Sequence, residues 1–300
     1  MINIRELKKD FDGNQALKGI NMNVKDGSIY GLVGTNGSGK TTILRILNGI
    51  VRADDGAVEI DGISVYDNPE LKERIAFIPD ELSFFNQYNL KEARKFYSNI
   101  FKRWDDRVFY ELVNIFQLNM SSKIRRFSKG MQKQAVFALV MGTTPDYLIL
   151  DEPIDGLDPI IRQTVWKYIV AAAADRQMTT LISSHNLREM EGYCDCIGVI
   201  DGGLMKLERD LDELKTGVHK LQVSFGNETD SSPDRYSSLR ILDRQISGSV
   251  DVLIVKNDIE ELDKFKKENN PILFDVVPLT LEEVFIYELG GEANADKIIS

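Results

Sequence analysis

The chain has 300 residues, 43% of them apolar and 28% charged, which leaves room for one large domain and a small second one. Its 47 acidic residues against 37 basic ones give a net charge of -10, which opposes phosphate backbones and anionic lipid head groups and argues against nucleic acid as a partner. The two cysteines, Cys194 and Cys196, stand too close in sequence for a good disulfide, and His185 nearby leaves a metal site one ligand short.

Both cysteines therefore read as small core residues, and their scarcity suits a reducing cytoplasm. Residues 1–10 lack a secretory signal pattern. No apolar run reaches the ~18 to 20 residues that span a bilayer. Any membrane role must come through a partner chain.

In chain order, residues 2–7 and 17–24 alternate apolar with polar positions and read as strands. Residues 28–33 form an apolar run that ends at a glycine loop. Residues 40–48 then carry Ile43, Leu44, Ile46 and Leu47 at helical spacing, with Gly49 as a stop. The middle, about 69–142, reads as mostly helical. Asp105 is a good N-cap for a helix with Val108, Leu112, Ile115 and Phe116 on one face, and residues 130–142 read as another helix. Residues 147–150 are all apolar or aromatic, as in a buried strand. A helix over 157–174 joins it to a strand at 179–183, and 197–200 adds a further strand. Beyond residue 214 the texture changes. Strands at 220–225, 239–246 and 251–256, a helix at 259–269, a strand at 272–277 and a helix at 281–289 suggest a small α+β domain. The chain after 290 reads as a frayed end.

Two segments carry chemistry. Gly34-Thr35-Asn36-Gly37-Ser38-Gly39-Lys40-Thr41 fits the phosphate-loop pattern in its required context, after a strand and before a helix. Glycines let backbone N–H groups converge on phosphate oxygens, and the following helix points its positive end at the same anion. Lys40 reaches the β- and γ-phosphates of ATP, Thr41 offers its hydroxyl to Mg²⁺, and Thr42 continues the ATP-binding segment. Asp151-Glu152 stands at the carboxyl end of the 147–150 strand, the edge where ligands collect in an open parallel sheet. Asp151 can hold Mg²⁺ through water, and Glu152 can orient and deprotonate the attacking water. Alone, the pair could merely cap the next helix; beside a phosphate loop, the catalytic reading prevails.

Over residues 1–214 the chain resembles an ATP-binding subunit of an ABC transporter, with the family's motifs in the family's order. The resemblance implies a P-loop NTPase core of ABC type, α/β, with antiparallel β and helical subdomains. It places 1–217 as the ATPase domain, with its helical subdomain at about 69–142, and leaves 218–300 as an accessory domain. It also implies an adenine-stacking ring at Phe11. Ser128-Lys129-Gly130-Met131-Gln132 resembles the signature segment that meets the γ-phosphate of a nucleotide held by the opposite protomer. Asp158, in Gly156-Leu157-Asp158, falls in the loop that crosses the dimer interface, and His185 matches the switch histidine at the γ-phosphate.

Two departures stand out. Lys129 and Met131 occupy positions where the usual signature has Gly and Gln, a form that resembles a variant of drug-, peptide- and antibiotic-type exporters. Asp80 replaces the usual Gln that contacts Mg²⁺ or water and signals to the membrane subunit; it keeps an oxygen ligand and adds a charge. Near the end, residues 279–285 resemble a segment of exporter-type subunits and also read as an amphipathic helix, with Leu281, Val284, Phe285 and Leu289 on one face.

The resemblance thus implies a subunit that binds and hydrolyses ATP to power a transporter, with export favoured. Its partners would be an integral-membrane subunit and a second ATPase chain, identical or homologous. It would work in the cytoplasm, on the inner face of the membrane. The rival is a soluble ABC ATPase acting on the ribosome or nucleic acid. Such translation factors hold two ATPase domains per chain, and DNA-repair relatives need sustained heptads; neither is visible.

Overall fold

The structure, a computed structural model, describes residues 1–81, 87–211, 218–226, 233–277 and 279–288, without the side chains of 233, 234 and 285–288. Backbone contacts divide the chain into two units: Met1–Asn186 with Gly192–Glu208, and Leu187–Glu191 with Arg209–Ser300.

In the first unit, β1 (Ile2–Phe11) and β2 (Asn14–Val24) form an antiparallel hairpin. Its turn residues Asp12 and Gly13 have φ of 51° and 89°, the left-handed pair that matches strand twist in a two-residue turn. β4 (Asp55–Ile60) pairs antiparallel with β1, and β5 (Ile63–Ser64) completes a sheet of order β2-β1-β4-β5.

The second sheet holds β3 (Ile29–Val33), β6 (Ile75–Ile78), β7 (Tyr147–Asp151), β8 (Thr179–Ser184), β9 (Cys196–Asp201) and β10 (Leu204–Asp210), in the order β10-β9-β3-β8-β7-β6. The pairs from β9 through β6 are parallel. Every residue of β3, β7 and β8 is buried, which is why their sequences lack strand alternation. The core lies between the two sheets and α1 (Lys40–Leu47): Ile4, Leu17 and Ile20 meet Leu32, Ile43, Leu44 and Ile149.

The expected helical stretch at 69–142 is mostly α2 (Pro69–Lys72), α3 (Leu90–Ile100), α4 (Asp106–Ile115) and α5 (Lys129–Met141). Asn89 and Glu92 form a reciprocal capping box at the start of α3, and Asp105 caps α4 by accepting from Arg107 N. One part of the stretch differs from the expectation. Ile75–Ile78 is the strand β6, because this short apolar run pairs along β7 instead of closing helical turns. α6 (Pro159–Arg176) follows β7, with Pro159 at its first position.

The second unit has an antiparallel sheet of order β12-β13-β11-β14, from β11 (His219–Ser224), β12 (Ile241–Ser247), β13 (Val250–Val255) and β14 (Leu273–Val277). α7 (Ile259–Asn269) presses Leu262 and Phe265 onto Leu221, Val223, Leu253 and Val255. In α8 (Leu281–Glu288), Leu281 and Val284 are buried, and Glu282 pairs with Arg188 at 2.7 Å. The side chain of Phe285, Leu289 and the end after 290 lie outside the described residues, as do 212–217, where the domain boundary was expected. Among the described residues, no helix is long and apolar enough to cross a membrane.

Candidate active site

The phosphate loop leaves β3 at Val33. A Cβ on Gly34 would stand 2.2 Å from Ile200 O and 2.7 Å from Ser38 Oγ, so only glycine fits there. Gly39 caps α1 at φ +115° with no side-chain cap, which leaves the first N–H groups of the helix to a ligand. Lys40 is buried. Its ammonium donates to Gly34 O at 2.6 Å and Thr35 O at 3.2 Å and stands 3.5 Å from Glu152 Oε1. Ser38 Oγ is buried with no hydrogen-bond partner. These donors and this unpartnered hydroxyl suit a polyphosphate.

Strand register brings the distant residues together. Asp151 lies opposite Ser183 across the β7–β8 pairing, and Val33 lies opposite Ser184 across β3–β8. The carboxyl ends of three parallel strands therefore share one row, the edge that binds ligands in such sheets. Asp151 is buried and accepts from Ser183 Oγ at 2.7 Å and Thr41 Oγ1 at 3.2 Å. The Thr41 hydroxyl and Asp151 carboxylate are adjacent hard oxygen donors, a set that can hold Mg²⁺. Glu152 Oε2 lies 2.6 Å from His185 Nδ1, just past β8. The hydrogen bond to Glu152 raises the His185 pKa above its ordinary value; burial and Lys40 oppose this, and the carboxylate of Asp155, 3.9 Å away, adds to it.

The cleft above this row holds about 300 Å³ and is lined by Asn36, Gly37, Gly39, Lys40, Thr41, Thr42, Asp80, Glu152 and His185, all singled out from sequence. Ala16 and Asp155 also line it and were not. Asp155 carries a faint sequence signal, an acidic residue in the turn that follows Glu152. Lys133, which donates to Glu152 O at 2.7 Å, carries none. Among the described residues, Glu152, Asp155 and His185 form the group of three potential metal ligands; it excludes both cysteines, which are free thiols. Burial pushes the Cys194 thiol pKa far up, in keeping with a small core residue.

Other expected residues lie elsewhere. Phe11 ends β1, does not line the cleft and is 45% exposed, with the Lys9 ammonium 5.2 Å from its ring centre. Ser128 is the N-cap of α5 and accepts from Met131 N at 3.2 Å, and Lys129 is exposed. Gln132 Nε2 donates to Phe127 O at 3.0 Å. A Cβ on Gly130 would meet Gly156 O at 3.3 Å, so the signature segment lies against the loop after Glu152, outside the cleft lining. Asp158 caps α6, accepting from Ile160 N at 3.1 Å and Ile161 N at 3.0 Å.

Comparison with known proteins gives the family and the fold. The family described as ABC transporter matches residues 17–155. The chain is 36% identical to the ABC transporter ATP-binding protein YtrB of Bacillus subtilis, over 97% of this chain and 99% of the relative. It is 30% identical to the bacitracin transport ATP-binding protein BcrA of Bacillus licheniformis, over 97% and 98%. A solved ATP-binding subunit of an ABC transporter superposes with a TM-score of 0.66 at 25% identity, covering 72% of this chain and 92% of that one. A dimeric bacterial ABC transporter cassette, MJ0796, gives 0.64 at 19% identity, covering 70% and 99%, and supports the fold. Since the match to an ATP-binding subunit runs over nearly all of both sequences, the chain belongs to the ABC transporter family as an ATP-binding, ATP-hydrolysing subunit.

Proposed function

We propose that this subunit powers export across a membrane through ATP-driven, head-to-tail pairing of two ATPase chains. The observation that carries the reading is the convergence of Lys40, Thr41, Glu152 and His185 in one cleft, with Asp151 hydrogen-bonded to Thr41, while Ser128 to Gln132 stay outside its lining. In this reading Lys40 holds the β- and γ-phosphates, and Thr41 and Asp151 hold Mg²⁺. The ion neutralises phosphate charge. Asp80 serves on the metal side or as the coupling residue. Glu152 accepts the proton of the attacking water, and His185 contacts the γ-phosphate. Phe11 stacks on adenine. The signature segment and Asp158 complete the site of a second chain, identical or homologous. Tighter ATP binding to the closed pair then drives closure, and hydrolysis releases it.

An integral-membrane subunit would dock on the helical segment at about 69–142, whose exposed Phe96, Ile100, Tyr110 and Ile115 offer apolar contact. The chain would then sit on the cytoplasmic face of the membrane through that partner. Residues 218–300 would form an accessory domain. Export of drugs or peptides is favoured by relatives named for bacitracin transport and for daunorubicin/doxorubicin resistance. The net charge of -10 speaks against a nucleic-acid role.

Glu152→Gln tests the reading. The amide keeps the shape and cannot take the proton, so ATP binding persists while turnover nearly stops. Light scattering with ATP and Mg²⁺ should find a dimer. An unchanged hydrolysis rate removes Glu152 from the base role, and a monomer at saturating ATP removes the pairing.

A further inference from the structure

Glu152 has φ of +50°, a left-handed conformation that non-glycine residues seldom adopt and that persists only where the surroundings hold it. Both of its backbone polar groups are held. Its N–H donates to Ser183 Oγ at 3.2 Å, and its carbonyl accepts from Lys133 Nζ at 2.7 Å. Ser183 comes from β8, inside the sheet. Lys133 comes from α5, the helix that begins at the signature segment. The Lys133 side chain is only 13% exposed, and its ammonium lies 3.4 Å from Asp80 Oδ1 on the cleft wall.

We propose that Lys133 is a positioning residue for hydrolysis: its ammonium clamps the Glu152 carbonyl, and so sets the direction of the Glu152 carboxylate, while Asp80 steadies the ammonium from its other side. The inference rests on the base role proposed for Glu152. A peptide in a left-handed conformation relaxes by rotating about its own backbone bonds, and that rotation swings the side chain. A donor fixed to its carbonyl opposes the rotation. Because the donor belongs to α5, a shift of the signature helix away from β7 would release the carbonyl and let Glu152 turn out of line. The base would then be aligned only when α5 is in place, and Asp80 gains a task in coupling that its charge, opposite to that of Lys133, explains.

The test uses the full chain and steady-state hydrolysis of ATP with Mg²⁺. Lys133→Met removes the donor and keeps most of the stem. The polar contacts of Lys133 are to Asp80 and the Glu152 carbonyl, neither in the phosphate loop, so kcat should fall by about tenfold or more, the effect of a misplaced catalytic group, while KM changes by less than about twofold. Lys133→Arg restores the donor and should recover kcat to within about threefold of the parent. Asp80→Asn should lower kcat less, and the double variant should be no worse than Lys133→Met alone, because both act through one clamp. Glu152→Gln, measured in parallel, separates the two readings. If it stays active, the base role fails. If it is inactive while folded Lys133→Met keeps the parent kcat, the base role stands and the clamp is overturned. A loss in Lys133→Met that appears equally in KM, or that Arg does not recover, also overturns it. Should Lys133→Met fail to fold by circular dichroism, Asp80→Asn decides: lowered kcat with KM and the Mg²⁺ dependence of the rate unchanged supports the clamp, and an unchanged kcat or a shifted Mg²⁺ dependence refutes it.

Discussion

Lys40→Met removes one ammonium and leaves most of the side-chain stem in place. The lysine is 5% exposed and makes two hydrogen bonds to loop carbonyls, Gly34 O at 2.6 Å and Thr35 O at 3.2 Å. A charge-assisted hydrogen bond contributes about 1.5–3 kcal/mol, so contacts to the β- and γ-phosphates together represent about 3–6 kcal/mol. The loop carbonyls compete for the same ammonium and offset roughly half of that sum. The remaining loss, about 1.5–3 kcal/mol, corresponds to a Kd weaker by about 12- to 150-fold. Calorimetric titration of the full chain with ATP and Mg²⁺ measures it directly. ADP, which lacks the γ-phosphate, should show a smaller penalty. The substitution also strips the Gly34 and Thr35 carbonyls of a donor, so the ligand-free protein should lose about 1–3 kcal/mol of stability. A Kd for ATP within about threefold of the parent would refute the assignment of Lys40 to the phosphates.

The pairing of His185 with Glu152 predicts a pH dependence. Hydrogen bonding to Glu152 raises the pKa of His185, so the pair's contribution is full below the ordinary histidine value, about 6.5, and is lost as pH rises through the raised one. The Tm gap between the parent and His185→Gln should therefore narrow from about pH 6 to about pH 9; a gap constant with pH would count against the pairing. Phe265 is buried among Leu221, Leu253 and Tyr236 in the second unit, and Phe265→Ala should cost that unit about 3–5 kcal/mol. Scanning calorimetry should register the loss while ATP affinity stays constant, since the residues lining the cleft all belong to the other unit. Weakened ATP binding would contradict the division.

The phosphate loop was readable because its requirements are local. Gly34 and Gly39 are dictated by close approach and by backbone sign, and Lys40 and Thr41 open a helix in the same turn. Helix ends set by nearby side chains were readable for the same reason. Asp105 caps α4, and α7 begins at Ile259 after the Asp258 cap and ends at Asn269, before Asn270, whose φ of 45° stops the helix. Asp151 and Glu152 were found because they end a strand of unbroken apolar residues. What stayed hidden depends on partners far away in the chain. Ile75–Ile78 became a strand only because β7 offers it a parallel edge. Asp155 reached the cleft through the turn after β7, and Lys133 reached the Glu152 carbonyl from a helix whose placement no local pattern encodes. Asp80 looked like a metal-side residue by position alone, and only the folded chain sets a lysine beside it. Caps, glycines and apolar runs act over a few bonds and can be read from order along the chain. Strand register and the reach of a lysine across a helix face depend on packing, which sequence order does not encode.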